Sequence, residues 1–284
     1  MGTSPVLEVA YLGVWDTVGA LGIPKRYAPF RFINRNHEFH DTNLSRFVKS
    51  ARHAVAIDER RRDFLPTLWT NIEELNNLVG ADSRARDAPY QQQWFPGVHG
   101  SVGGGGDRRG LSDQALDWVL DGARKLGLDL DTATGSRIFE LAPDYRDFID
   151  NSSEKRSLAT KIMHLFPVDR MPGPQSLSEV SISARRRWHE RPDNLADKAP
   201  YRSQTLSGVA AALDALDPRT LGIGLSPPIN FKLHVVRKGE TLGSLAQDFY
   251  GDRGKWKRIH EANLDKVEDP DRIYLGQTLR IPLD

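Results

Sequence analysis

The 284-residue sequence contains no cysteine, which excludes disulfide bonds, thiolate metal sites and a cysteine nucleophile. It also lacks an excess of one charge, because 39 lysine and arginine residues are balanced by 38 aspartate and glutamate residues, for a net charge of +1. Proteins that bind nucleic acids through the phosphates usually carry a marked basic excess. The charge balance therefore argues against a nucleic-acid partner.

Long apolar segments are missing as well. No run of apolar residues approaches the ~18 residues that a membrane-spanning helix requires. The chain starts MGTSPVLEVAYLGVWD, with neither a basic stretch nor a small-residue cleavage site, so we expect no signal peptide. If the protein acts outside the cytoplasm, another system is expected to deliver it.

The length corresponds to about two domains. Residues 6–15 read VLEVAYLGVW, a nearly continuous apolar run that predicts a strand buried on both faces of a parallel sheet. Apolar spacing predicts a helix over residues 43–57 and another over residues 112–126, with Ser112 as the N-cap of the latter. A second strand is predicted over residues 91–98.

The last part of the chain has a different composition and is predicted to be a separate unit. Residues 205–231 are rich in alanine, leucine, glycine and proline, which predicts a short helix followed by a linker. From residue 232 onward the pattern predicts a small β-α-α-β module. Its strands and helices are expected over residues 233–237, 240–250, 255–263 and 277–281.

This module resembles a LysM domain. The resemblance is carried by residues 235–242 (VVRKGETL), 249–251 (FYG) and 273–282 (IYLGQTLRIP). It implies binding to glycans that contain N-acetylglucosamine, such as peptidoglycan, in a groove between two loops. The implied glycan-binding residues are Gly239, Glu240, Thr241, Leu242, Ile273, Tyr274, Leu275 and Gly276.

The chemistry-bearing candidates in the first part of the chain are Asp16 and His99. Each follows a predicted strand directly, and the carboxyl ends of parallel strands form the ligand crevice of open α/β sheets. A carboxylate that orients a histidine, which then deprotonates a serine, is a common catalytic arrangement. Spacing alone leaves the alternative open, because an aspartate at a strand end is usually a turn residue and a loop histidine is usually structural.

Four local motifs add to this interpretation. Residues 12–20 (LGVWDTVGA), 52–61 (RHAVAIDERR), 94–99 (WFPGVH) and 110–116 (GLSDQAL) stand in this order along the chain. Together they resemble the α/β-hydrolase family that includes phospholipase effectors of bacterial type VI secretion, over about residues 5–204. The resemblance implies that Asp16 and His99 are triad partners in the hydrolysis of lipid esters.

The sequence departs from that family at the nucleophile. In the family, a serine in a Gly-x-Ser-x-Gly elbow precedes the GVWDTVG strand, and this sequence has no such elbow. Ser101 is the serine nearest to His99, but it lacks the strand-turn-helix context, so we do not expect it to be the nucleophile. The family often has Ser-Asp after this histidine, where Gly100 and Ser101 stand here, so a carboxylate is lost.

Metal and cofactor sites are not predicted. His53 with Asp58 and Glu59 could suggest a metal site, but a helix end with charged partners is the favoured interpretation. The glycine-rich loop at residues 103–106 lacks the Lys-Ser/Thr ending of a phosphate-binding loop.

The sequence therefore predicts the α/β fold class: a partial α/β-hydrolase sheet with flanking helices at residues 1–204, a linker at 205–231 and a LysM module at 232–284. The expected function is that of a serine lipase or phospholipase, targeted to the cell wall by LysM and incomplete without an upstream nucleophile. The alternative is a non-catalytic peptidoglycan-binding protein left from a truncated or split hydrolase.

The expected partners are peptidoglycan, phospholipid, secretion machinery and an upstream chain that carries the nucleophile. We expect synthesis in the bacterial cytoplasm and delivery to the periplasm or cell envelope.

Overall fold

A computed structural model describes residues 8–18, 43–85, 87–129, 141–152, 167–221, 223, 231–264, 267, 269–273, 275 and 277–283. Its strands are β1 (Leu12–Trp15), β2 (Ala51–Ala56), β3 (Tyr90–Phe95), β4 (Phe231–Val235) and β5 (Thr278–Pro282). Its α-helices are α1 (Ile72–Leu78), α2 (His99–Gly103), α3 (Gly110–Lys125), α4 (Ile182–His189), α5 (Ala210–Asp214), α6 (Leu242–Tyr250) and α7 (Trp256–Ala262). Short 3₁₀ turns lie at Arg62–Phe64, Leu177–Glu179, Pro192–Asn194, Gln204–Val209 and Arg253–Lys255.

The first sheet is parallel and has the order β1-β2-β3. The prediction of a helix over residues 43–57 is wrong: residues 51–56 form the central strand β2, in which all six residues are buried, and residues 43–50 form no helix. A strand that is buried on both faces shows no alternation of polar and apolar residues, and its apolar residues can fit a helical spacing by chance. The predicted strand over residues 91–98 is confirmed as β3, which ends at Phe95.

β1 is shorter than the strand predicted over residues 6–15, of which residues 6 and 7 lie outside the described part. Its residues are half-buried rather than buried on both faces, because β2 is its only neighbouring strand among the described residues. Gly13 allows α3 to pack closely on β1, since a Cβ at this position would lie 2.5 Å from Cγ1 of Val119.

α3 covers one face of this sheet and confirms the helix predicted over residues 112–126. It begins earlier than predicted, with Arg109 rather than Ser112 at the N-cap. Its Ala115 and Val119 pack against Ala54, Ala56 and Phe95 of the sheet. No helix in the described part of the chain is both long and apolar enough to span a membrane.

The other face of the sheet packs against residues from the middle of the chain. Trp94 shares a core with Trp188 of α4 and with Leu206, Val209 and Leu213. The stretch from residue 204 to 214 is helical, as the predicted short helix requires, but its apolar side chains belong to this core. The beginning of the segment predicted as a linker is therefore packed against the sheet.

The second sheet is the antiparallel pair β4 and β5, with α6 and α7 between them in sequence. This order matches the predicted β-α-α-β module, with each boundary shifted by at most two residues. Leu245, Ile259 and Ile281 are fully buried in its core. Asn263 ends α7, and its buried amide bonds to the carbonyls of Ile259 and Arg280 and to the main-chain amide of Arg280.

Candidate active site

Asp16 and His99 meet at the carboxyl end of the parallel sheet. Asp16 directly follows β1, and His99 lies four residues after β3 and begins α2. Nδ1 of His99 lies 2.7 Å from Oδ2 of Asp16, although β2 separates their two strands in the sheet. The carboxylate reaches across the end of β2, where its Oδ1 accepts a hydrogen bond from the main-chain amide of Ala56 at 2.8 Å.

Arg170 is a further partner of Asp16, and the sequence did not suggest it. Its Nη1 donates to Oδ1 of Asp16, and its Nη2 donates to Oδ2 at 2.9 Å. The same guanidinium donates to the carbonyl oxygens of Ala56 and Phe64. Arg170 is only 2% exposed and Asp16 is 0% exposed, so the ion pair is buried.

The charge state of Asp16 is set by burial and by its donors. Burial by itself raises the pKa of a carboxyl group. The hydrogen bonds from His99 and Arg170, together with the positive charge of Arg170, outweigh burial and hold the pKa of Asp16 below its usual value. The carboxylate is therefore ionised at neutral pH, as a group that orients a histidine must be.

His99 is held on one side and open on the other. Its main-chain amide donates to Oε2 of Glu59 at 3.2 Å, and its ring contacts the ring of Phe64 edge-on, with centroids 5.1 Å apart. The side chain of His99 is 33% exposed. Its Nε2 has no hydrogen-bond partner among the described residues.

Glu59 supports this arrangement from the segment that follows β2. It binds the guanidinium of Arg61 through both carboxylate oxygens, at 2.8 and 2.7 Å. Burial by itself raises the pKa of Glu59. The hydrogen bonds from Arg61 and from the main-chain amide of His99 outweigh burial, so the pKa of Glu59 lies below its usual value. Arg61 in turn stacks on Phe64, 3.6 Å from the ring centroid.

Ser101 is close to His99 in sequence but is used elsewhere. Its hydroxyl is almost fully buried and donates to the carbonyl of Ile149 at 2.6 Å. The preceding Gly97 has a φ of +117°, and a Cβ at this position would lie 2.5 Å from Cβ of Ser101. Ser101 thus packs against the turn that carries His99, a structural role that fits the expectation that it is not the nucleophile.

Both ring nitrogens of His53 have partners within the protein. Its Nδ1 lies 3.0 Å from the side-chain oxygen of Gln92, and its Nε2 accepts from the main-chain amide of Thr17 at 3.3 Å. Burial lowers the pKa of His53 to about 4, so the ring is neutral. It stands on β2 rather than on the helix end that we favoured. Within the described residues, no group of three or more metal-ligating side chains is placed to hold a metal ion.

Of the residues implied to bind glycan, those that the structure describes follow β4 or precede β5 at one end of the β4–β5 pair. Val235 and Thr278 are paired there, so the turn after β4 and the loop before β5 start from the same end. Gly239 occupies the turn with a φ of +85°, and Thr241 caps α6 through a reciprocal pair of bonds with Ser244.

The side chains of these residues differ in what they can offer a ligand. Glu240 accepts from His234 and from the main-chain amide of Arg237. The side chain of Leu242 is buried in the core of the module, and the side chain of Ile273 packs against that core. Leu275 is 48% exposed. Tyr274 and Gly276 lie outside the described residues.

Two known families match separate parts of the chain. Residues 2–122 match the family described as "T6SS, Phospholipase effector Tle1-like, catalytic domain", and residues 234–282 match the LysM domain. The chain joins a Tle1-like catalytic region to a LysM domain. The Tle1-like match contains Asp16 and His99, whereas Arg170 lies outside it.

Several curated proteins share part of the sequence. The chain is 34% identical over 77 residues to the potassium binding protein Kbp of Escherichia coli O6:H1 (strain CFT073), covering 27% of this chain and 48% of Kbp. It is 38% identical over 50 residues to an uncharacterized protein of Deinococcus radiodurans, covering 18% of this chain and 19% of that protein. It is also 38% identical over 60 residues to the uncharacterized protein YqbP of Bacillus subtilis (strain 168), covering 18% and 27%. The chain thus spans less than half the length of each of these relatives.

Proposed function

We propose that the Tle1-like region is the acid–base half of a serine-type hydrolase that acts on the ester bonds of phospholipids. The observation that supports this proposal is the hydrogen bond between Nδ1 of His99 and the buried, ionised carboxylate of Asp16. It leaves Nε2 of His99 without a hydrogen-bond partner among the described residues, at the carboxyl end of the sheet, in the position of a general base. The fold class and the Tle1-like match agree with a hydrolase of this kind.

In the proposed reaction, Nε2 of His99 takes the proton of a serine hydroxyl while the serine oxygen attacks the ester carbonyl. The C–O bond to the glycerol oxygen then breaks, and this leaving oxygen takes the proton from Nε2. Water hydrolyses the resulting acyl-serine by the same exchange of protons, and a fatty acid leaves. Asp16 keeps the ring in one orientation and stabilises the transient imidazolium.

No hydroxyl of the described residues bonds to Nε2 of His99, and the sequence has no Gly-x-Ser-x-Gly turn that would carry the serine. We propose that a Gly-x-Ser-x-Gly turn encoded upstream of this sequence supplies the serine. The LysM domain would hold the assembled enzyme on peptidoglycan, close to the membrane lipids. Delivery by a secretion system would bring it there.

The test compares the chain alone with the chain mixed with the polypeptide encoded immediately upstream. Fatty-acid release from phosphatidylethanolamine vesicles is measured, together with labelling by a fluorophosphonate probe. We expect release and labelling only in the mixture, and loss of both with His99→Ala. Ser101→Ala is the matched control and should keep at least half of the activity.

Two results would count against this proposal. Labelling of the isolated chain, lost in Ser101→Ala, would place the nucleophile at Ser101. Absence of hydrolysis in both samples, with peptidoglycan retention intact, would favour the non-catalytic peptidoglycan-binding alternative.

We also propose that the LysM domain binds peptidoglycan at the end of the β4–β5 pair. The exposed side chain of Leu275 offers an apolar contact there, and the turn at Gly239 offers main-chain groups. Retention of the full chain on purified peptidoglycan, measured by co-sedimentation at low and moderate salt, tests this. No retention under either condition would refute it.

A further inference from the structure

We propose that Arg170 is a positioning residue of the active site, which keeps the Asp16 carboxylate ionised and oriented so that His99 carries its proton on Nδ1. This inference rests on the proposed function for its catalytic meaning, but not for the geometry or for its test. Arg170 lies outside the residues that match the Tle1-like family.

The carboxylate of Asp16 accepts four hydrogen bonds. Its Oδ1 accepts from the amide of Ala56 and from Nη1 of Arg170, and its Oδ2 accepts from Nδ1 of His99 and from Nη2 of Arg170. Arg170 therefore supplies two of the four donors that hold a fully buried carboxylate. A planar guanidinium that binds both oxygens also fixes the plane of the carboxylate.

Arg170 is itself held rigidly. Its two terminal nitrogens also donate to the carbonyl oxygens of Ala56, the last residue of β2, and of Phe64, whose ring contacts that of His99. The main chain on its amino-terminal side is fixed by the bond from the amide of Val168 to the carbonyl of Arg60. The ion pair between Arg60 and Asp169, at 2.9 Å, fixes it further. Arg170 thus ties together Asp16 at the end of β1, Ala56 at the end of β2 and Phe64, whose ring contacts that of His99.

The backbone of Asp16 adopts a strained conformation. Its φ of +40° lies in the left-handed region, which is unfavourable for a residue with a side chain. Such a conformation persists where its surroundings hold it. The four donors to the carboxylate, and the bond from the amide of Asp16 to the carbonyl of Ala54 at 2.7 Å, supply that restraint.

The consequence concerns the proton on the imidazole ring. Without the guanidinium, burial favours the neutral acid form of Asp16. A protonated Asp16 would donate to Nδ1, and the ring proton would then reside on Nε2. In that tautomer Nε2 has no lone pair to accept the proton of a serine hydroxyl. Arg170 thus decides whether His99 can act as a base.

The experiment measures the ¹⁵N chemical shifts of the two ring nitrogens of His99 in the full chain, at a pH where the ring is neutral. These shifts report which nitrogen carries the proton, and His99→Ala identifies the signals. We expect Nδ1–H in the wild type and mainly Nε2–H in Arg170→Met. Arg170→Lys keeps a positive charge but cannot bind both oxygens in the same way, so we expect a mixture.

Arg187→Lys is the matched control. Arg187 is as deeply buried as Arg170, and it pairs with Asp197 and donates to two main-chain carbonyls, but it does not touch Asp16. We expect Arg187→Lys to lower stability as Arg170→Lys does while the His99 tautomer stays unchanged. A purely structural role of Arg170 would give the same tautomer in all these variants.

An unchanged Nδ1–H tautomer in a folded Arg170→Met variant would overturn the proposal. If that variant does not fold, an unchanged tautomer in Arg170→Lys would overturn it. These measurements need no substrate and no nucleophile, so they are independent of the hydrolysis assay. In the assembled enzyme, we expect Arg170→Lys to lower kcat about 10- to 100-fold with little change in KM.

Discussion

Nδ1 of His99 lies 2.7 Å from Oδ2 of Asp16, although 83 residues separate them in the chain. The strands that precede them, β1 and β3, are not neighbours, and the central strand β2 lies between them. The bond therefore depends on the whole sheet being formed. A buried carboxylate with a complete set of donors is also a point where single substitutions have large and predictable effects.

Asp16→Asn is expected to lower the free energy of unfolding by roughly 3–5 kcal/mol, because it leaves the buried guanidinium of Arg170 without a counter-charge. The new amide group also places a donor against existing donors. Urea denaturation at pH 7 measures the loss. Asp87→Asn is the control, since Asp87 forms an exposed ion pair with Arg272, and a change of at most about 1 kcal/mol is expected there. Equal effects of the two substitutions would contradict the role of the buried pair.

Gly97→Ala is expected to destabilise the turn that carries His99 by about 2–4 kcal/mol. The residue has a φ of +117°, and the added Cβ would lie 2.5 Å from Cβ of Ser101. Thermal unfolding of this variant is compared with that of Gly103→Ala. A Cβ at Gly103 would have no atom within 4 Å, so a change within about 0.5 kcal/mol is expected. A Gly97→Ala variant as stable as the control would show that the turn adapts freely.

The lowered pKa of His53 predicts that the folded protein loses stability in acid. Its pKa in the folded state is about 4, below the ordinary value of about 6.5 that applies in the unfolded chain. Between these values the unfolded state binds a proton that the folded state does not, so stability falls as the pH is lowered from about 6.5 to about 4. The linkage amounts to about 3 kcal/mol when complete.

Urea denaturation at a series of pH values across this window tests that expectation. His53→Gln removes the titrating group, so its free energy of unfolding should fall less between neutral pH and pH about 4.5 than that of the wild type. Identical slopes in the two proteins would mean that His53 does not contribute to the acid sensitivity.

The LysM domain allows structural and binding residues to be separated. Asn263→Ala leaves main-chain groups of Ile259 and Arg280 without their buried partner, and a loss of about 2–3 kcal/mol is expected. Leu275→Ser alters an exposed side chain and should change stability by less than about 0.5 kcal/mol. We expect Leu275→Ser to reduce co-sedimentation with peptidoglycan while the domain stays folded. Undiminished retention of this variant would place the glycan elsewhere.

Local patterns were sufficient for several features. The order and approximate bounds of β4, α6, α7 and β5 follow from short-range periodicity and from glycines at the turns, because each element is bounded by residues close to it in sequence. α3 was predicted for the same reason. β2 was not, since burial on both faces removes the alternation by which a strand is distinguished from a helix.

The sequence by itself determined that Asp16 and His99 follow strands, that this chain has no cysteine nucleophile, and that residues 232–284 resemble a LysM domain. Only the tertiary structure decided that Arg170 binds both oxygens of Asp16, across 154 residues of sequence, and that the hydroxyl of Ser101 is committed to Ile149. The reason is physical. Strand and helix signals arise between neighbours along the chain, whereas the partner of a buried charge is whichever side chain the fold brings to it.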